Sequence, residues 1–107
     1  METKQDKSNL EGNLKSFLFA LEDFLSVNSA FYTRDLKVVY AQEPQKTIDG
    51  YVARGLIEVG KHMFPFQVKY DVESDTIELR SKAFVYYISS SELQEFLEYE
   101  RNEGDDE

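Results

Sequence analysis

The apolar residues near the N-terminus constrain the fold more than any other feature of the chain. Steps of four and three residues separate five of them: Leu10, Leu14, Phe17, Leu21 and Phe24. Because residues three or four apart lie on the same side of an α-helix, this spacing predicts one long helix with a single buried stripe. A capping box joins Ser8 to Glu11, so the predicted helix runs from Ser8 to about Asn28.

Beyond residue 28 the apolar pattern changes to that of β-strands. Phe66, Val68 and Tyr70 alternate with polar residues, which is the period-two pattern of a strand with one buried face. Turn-forming residues at 73–75 separate this strand from the next and predict a hairpin. The predicted strands cover residues 36–41, 47–59, 66–72 and 76–88. The sequence therefore predicts an α+β fold, in which the N-terminal helix packs on a roughly four-stranded antiparallel meander.

A short acidic helix is predicted to follow the sheet and to end near residues 102–104. Its narrow apolar stripe consists of Leu93, Phe96 and Leu97. Two capping boxes are possible at its start: Ser89 with Glu92, or Ser91 with Gln94. Residues 89–107 contain eight acidic side chains and one basic side chain, and so carry seven of the nine net negative charges. The negative charge is therefore local, and a partner that meets it should be basic.

The length and composition of the chain fit a single domain of 107 residues. We predict a flexible leader at residues 1–7, one α+β domain at residues 8–103 and an acidic frayed tail at residues 104–107. The N-terminus has no signal-peptide pattern, and no apolar run reaches the ~18 residues of a membrane span. We therefore expect a cytoplasmic protein that does not bind membranes. With no Cys and a single His, neither a common metal site nor any other cofactor is expected.

The acidic helix is the leading candidate for a binding site. Its carboxylates lie off the apolar stripe at helical pitch, where they can attract a basic protein surface and mimic nucleic-acid phosphates. The same pattern is also typical of a solvated face that only keeps a small protein soluble. The candidate contact residues are Glu92, Glu95, Glu98, Glu100 and Glu103 for their charge, and Phe19 and Tyr99 for apolar area. The expected function is a small non-enzymatic adaptor, chaperone or inhibitor.

Other classes of function stay open. A pocket between the N-terminal helix and the sheet would bind a small molecule or a substrate, and the residues to examine there are Tyr40, Tyr51, Arg54 and His62. A homodimer through the N-terminal helix or an open strand edge is a further alternative. Direct binding of nucleic acid is not expected, because the aromatic residues at 84–87 have few cations near them.

No catalytic motif is present, so an enzyme is not expected. The serines at 89–91 lack the pattern of a nucleophile elbow, and the glycines match no phosphate-binding loop. In predicted architecture and charge, although in no motif, the chain is similar to small acidic secretion chaperones and to compact phage- or plasmid-encoded inhibitors. That similarity implies a protein-binding role.

Overall fold

The part of the chain that the structure describes consists of three helices and one antiparallel sheet. The computed structural model describes the backbone of residues 2–28 and 36–105 and the side chains of residues 10–27 and 36–100. The N-terminal helices are α1 (Glu2–Phe19) and α2 (Leu21–Asn28). The strands are β1 (Leu36–Ala41), β2 (Gln45–Lys46), β3 (Gly50–Val59), β4 (His62–Asp71), β5 (Thr76–Ser81) and β6 (Val85–Ser89). The C-terminal helix is α3 (Ser90–Asp105).

The order of the strands is that of a meander. The sheet runs β1-β3-β4-β5-β6, and β2 pairs with β3 on the same edge as β1. Between β1 and β2, the N–H of Gln42 donates to the carbonyl of Arg54 at 2.8 Å, which continues the contact with β3. The predicted α+β class and antiparallel sheet are therefore confirmed, but the sheet has six strands, and the prediction of about four is wrong.

Two turns account for the extra strands. The predicted strand at 76–88 is divided by a tight turn, in which Ser81 and Phe84 exchange backbone hydrogen bonds of 2.9 and 3.4 Å around Lys82 and Ala83. The apolar run after Lys82 therefore marks a new strand, β6, that pairs back on β5. The predicted strand at 47–59 begins only at Gly50, because residues 47–49 form a bend, and the additional strand β2 lies before the predicted range.

The predicted N-terminal helix is two helices that meet at Ala20. The N–H of Ala20 is shared between the carbonyls of Ser16 and Phe17 at 3.0 and 3.1 Å, so the junction keeps most of its hydrogen bonding. The first helix begins at Glu2, and the predicted start at Ser8 is wrong. Residues 2–7 are rich in Glu, Lys and Gln, which favour helix, so the helix continues past the candidate cap. The division of the chain into leader, domain and tail stays a prediction.

The core lies between the helices and one face of the sheet. The predicted helical stripe is buried, and it packs against alternate residues of the central strands: Ala53, Ile57, Phe66, Val68, Tyr70, Ile77 and Leu79. The ring of Phe24 is at the centre, with edge-to-face contacts to Phe17 at 5.1 Å, Phe96 at 5.5 Å and Tyr86 at 5.7 Å. The intervening strand residues face away from the helices and form the outer face of the sheet.

Gly55 provides space for one core side chain. It lies directly opposite Phe66 in the β3–β4 pairing. A Cβ at Gly55 would lie 2.5 Å from the Cζ atom of Phe66, and closer still to the backbone carbonyl oxygen of Tyr40. The aromatic ring therefore covers the glycine, and no larger residue fits at this position without displacing its neighbours.

Candidate functional site

The acidic helix α3 begins at a capping box. The Ser89 N–H donates to the Glu92 carboxylate at 2.8 Å, and the Glu92 N–H donates to the Ser89 hydroxyl at 3.2 Å. These reciprocal bonds satisfy two amide groups that a helix start leaves free. Of the two predicted boxes, the one formed by Ser89 and Glu92 is therefore confirmed.

Apolar residues fix the orientation of α3. Leu93 is fully buried, and Phe96 and Leu97 are partly buried against the core. The Phe96 ring meets Phe17 edge-to-face at 6.3 Å, which joins α3 to α1. Because these residues fill one side of the helix, positions 95, 98 and 99 lie on the opposite side.

The exposed side of α3 presents carboxylates to solvent. Glu95 and Glu98 are exposed, and 57% of Tyr99 is accessible beside them. We call these three residues the α3 ridge. Neither glutamate forms an ion pair with another side chain in the described part of the chain, and Glu98 only accepts a long bond of 3.5 Å from Gln94. The Cβ atoms of residues at this spacing are about 5–6 Å apart, and neither carboxylate has a counter-ion among the described side chains.

The other predicted contact residues are not all available at this surface. The Glu92 carboxylate is engaged in the capping box. Glu100 is half-buried and has an interaction within the protein, and the side chain of Glu103 lies outside the described residues. Phe19 is 88% exposed, but it lines a cleft with β1, whereas α3 packs against β6 at the other end of the sheet. The structure therefore brings only Glu95, Glu98 and Tyr99 together as one exposed surface.

A cleft between the N-terminal helices and the sheet edge is the second candidate site. Its volume is about 280 Å³, and its lining includes Leu18, Phe19, Val38, Tyr40, Ala41 and Pro44. At its rim the Lys15 ammonium lies 3.9 Å from the Glu43 carboxylate. On its helical side the Glu22 carboxylate accepts the N–H of Val38 at 2.9 Å. The cleft is largely apolar with charged groups at the margin, which is a common arrangement for small ligands.

Of the four residues predicted for such a pocket, only Tyr40 lines this cleft. Tyr51 packs against the core on the inner face of β3, and Arg54 points to the outer face of the same strand. His62 is exposed at the hairpin that joins β3 to β4. The structure therefore does not assemble these four residues into one site.

The outer face of the sheet carries a cluster of cations that the sequence alone did not reveal. Arg54, Gln67 and Arg80 are directly opposite one another on three neighbouring strands. The Arg80 guanidinium donates to Glu78 at 2.7 Å and to the Tyr87 hydroxyl at 3.3 Å. Its hydrogen bond lowers the pKa of the Glu78 carboxyl, and in return that carboxylate raises the pKa of Arg80. Only the pairing register places these residues together, so a single sequence carries no signal for them.

Two residues at the end of β4, next to the turn that leads to β5, have shifted pKa values and a structural role. Burial, followed by a 2.9 Å hydrogen bond from its hydroxyl to Asp75, raises the pKa of Tyr70 to about 12. Hydrogen bonds donated by the Ser74 hydroxyl at 2.7 Å and the Ser74 N–H at 3.0 Å lower the pKa of Asp71. Both interactions fasten this turn rather than form a reactive centre.

Comparisons with known proteins give no relative from which a function could be inferred. No protein-family model, curated protein or solved structure matches the chain. None of the helices described above combines the length with the hydropathy that a bilayer-spanning segment requires. Within the described residues, no three His, Asp or Glu side chains converge to hold a metal ion.

Proposed function

We propose that the protein is a small non-enzymatic binding module, an adaptor, chaperone or inhibitor, whose α3 ridge engages a basic surface of a partner protein. The observation that carries the proposal is the pair of exposed carboxylates at Glu95 and Glu98 without a counter-ion among the described side chains. Such a pair keeps its attraction for an external cation, because no ion pair with a described side chain has to be broken first.

The position of the acidic residues supports a role outside folding. Glu92 stabilises the start of α3 by capping it. In contrast, no basic residue lies in the last turn of this helix, where the helix dipole favours cations and disfavours the carboxylates at positions 103 and 105. The acidic charge of α3 therefore exceeds what the stability of the helix requires.

Tyr99 adds contact area to the charge that the two glutamates of the ridge provide. Its ring is 57% exposed next to Glu95 and Glu98. Tyrosine is enriched at protein interfaces because one side chain provides apolar surface and a hydroxyl. Mimicry of nucleic-acid phosphates is one form of the proposed function, in which the basic partner is itself a nucleic-acid-binding protein.

The experiment is affinity capture from the native host at low and at moderate salt, with three forms of the protein. The ridge variant is Glu95→Lys/Glu98→Lys. The matched control is Glu11→Lys/Glu73→Lys, which makes the same change in net charge at exposed positions on other elements. We expect the wild type and the control to retain a basic protein at low salt and to release it as salt screens the attraction. The ridge variant should retain much less.

The size of the loss follows from the strength of exposed ion pairs. Two charge reversals replace two attractions by two repulsions, and at about 0.5 kcal/mol for each of these four terms the affinity falls roughly 30-fold. Equal retention by the ridge variant and the control would contradict the proposal. So would the absence of any partner whose retention depends on salt.

The cleft supports a second candidate function, the binding of a small apolar molecule. A ligand in the cleft would contact Leu18, Val38 and Pro44 and raise the melting temperature of the protein. The variant Ala41→Trp places a large side chain at the cleft and should abolish such a shift in a ligand screen. A shift that is the same in both proteins would place the ligand elsewhere.

A further inference from the structure

The outer face of the sheet carries positive charge opposite to that of α3. We call the side chains Arg54, Gln67, Lys69, Arg80, Lys82 and Tyr87 the basic sheet patch. Arg54 and Lys82 lie around one shallow depression together with Gln67 and Arg80, and Lys69 lies beside Arg54 in the next. Among the described residues, Glu78 pairs with Arg80 and Asp49 lines the second depression, so four cations stand beside two carboxylates and this part of a very acidic protein is locally positive.

Hydrogen bonds within the basic sheet patch hold one of its cations in a fixed position. Arg80 is held between the Glu78 carboxylate and the Tyr87 hydroxyl, while 59% of Tyr87 remains exposed. Arg54 and Lys82 are exposed and have no ion pair with another described side chain. An exposed tyrosine among arginines is the composition that carries most of the binding energy in protein interfaces.

We propose that the basic sheet patch of one copy binds the α3 ridge of a second copy. The inference rests on the proposed function, because it identifies the basic surface that the ridge engages as another copy of the same chain. Charge complementarity carries it: the ridge contributes Glu95 and Glu98, and the patch contributes Arg54 and Lys82, which pair with no described carboxylate.

The α3 ridge and the basic sheet patch of one copy can be in contact with two other copies at the same time. The helices cover the inner face of the sheet, and the basic sheet patch lies on the outer face. Contact between unlike surfaces is heterologous, and its repetition produces a ring or an open chain of copies.

The spacing of the charges fits this contact. Glu95 and Glu98 are about 5–6 Å apart on the helix. Arg54 and Arg80 are separated by one strand, which places their Cα atoms about 9–10 Å apart. Long arginine and lysine side chains cover the difference, so one helix lying across the strands brings both carboxylates within reach of cations.

Light scattering after size-exclusion chromatography tests the proposal across a dilution series. The ridge variant is Glu95→Lys/Glu98→Lys, and the patch variant is Arg54→Glu/Lys82→Glu. The matched control for the patch variant is Lys46→Glu/Lys61→Glu, which changes the net charge equally at exposed positions elsewhere. Circular dichroism establishes that each variant is folded.

We expect the wild type to show a mass above one copy that rises with protein concentration at about 0.1 M salt and falls to one copy at about 1 M. Each of the two interface variants should associate roughly 30-fold more weakly, while the control associates like the wild type. An equimolar mixture of the ridge and patch variants should associate again, as the wild type does. In that mixture an intact ridge meets an intact patch, and the lysines of the reversed ridge meet the glutamates of the reversed patch.

The proposal is overturned if the wild type has the mass of one copy at every concentration, or if the patch variant associates as strongly as the control. It is also overturned if the mixture of the two interface variants remains monomeric. The outcomes also distinguish failure of this inference from failure of the proposed function. A monomeric wild type whose ridge still captures a basic protein refutes only the inference, whereas a ridge variant that behaves like its control in both experiments refutes both.

Discussion

Replacement of Gly55 by alanine should destabilise the protein although it adds only one methyl group. The new Cβ would lie 2.5 and 2.6 Å from the Cζ and Cε2 atoms of Phe66. Carbon atoms in favourable contact are about 3.5–4.0 Å apart, so the overlap is roughly 1 Å. Phe66 is 3% exposed and lies within the core, and the backbone oxygen of Tyr40 restricts the other side.

The expected cost is that of an overpacked core, about 1–3 kcal/mol. The smaller entropy of the unfolded alanine chain offsets at most about 1 kcal/mol of it. Urea unfolding measures the result, because with a slope of about 1–3 kcal/mol per molar a loss of 2 kcal/mol moves the midpoint by roughly 1 M.

Two further variants make the test specific. Gly12→Ala adds the same methyl group in α1, where no atom lies within 4 Å, and should stabilise the protein by about 0.5–1 kcal/mol. In a Phe66→Leu background, Gly55→Ala should cost less than in the wild type, because the ring that it meets is gone. A Gly55→Ala variant as stable as the wild type, or an equal cost in both backgrounds, would refute the packing explanation.

Three other outcomes are expected from the structure. Ser89→Ala should lower stability by about 1 kcal/mol in thermal unfolding because it removes the cap of α3, whereas Ser91→Ala, at the unused box, should not. Phe17→Ala should cost about 3–5 kcal/mol in urea unfolding, because the side chain is fully buried. The raised pKa of Tyr70, about 12 in the folded protein against 10.0 unperturbed, favours the neutral phenol, so its contribution is complete below pH 10 and is lost towards pH 12. Urea unfolding should therefore show a steeper loss of stability across this range in the wild type than in Tyr70→Phe, by about 2–3 kcal/mol.

The sequence predicts those parts of the fold in which a local pattern and the tertiary contacts agree. The stripe from Leu10 to Phe24 is helical and buried, and Phe66, Val68 and Tyr70 face the core from one strand. The same agreement explains the start of α3, because Ser89 and Glu92 act within a single turn of the chain. In each case the physical cause lies within a few residues.

The differences arise where distant residues decide the structure. The junction at Ala20 has no glycine or proline to announce it, and the turn at Lys82 and Ala83 lacks the usual turn-forming residues. The candidate sites show the same limit. Arg54 and Arg80 become neighbours through two strand pairings, and Phe19 lines the cleft beside β1 instead of joining the α3 ridge.

The hydrogen bond from the Val38 N–H to the Glu22 carboxylate affects how readily the edge of the sheet can pair with another chain. Val38 lies on the outermost strand, whose unpaired amides would otherwise be a template for another extended polypeptide. Occupying one of them with a side chain from the neighbouring helix interrupts that template, and the irregular pairing near Val39 distorts it further. Protection against amyloid-like stacking is thus built into the same segment that borders the cleft.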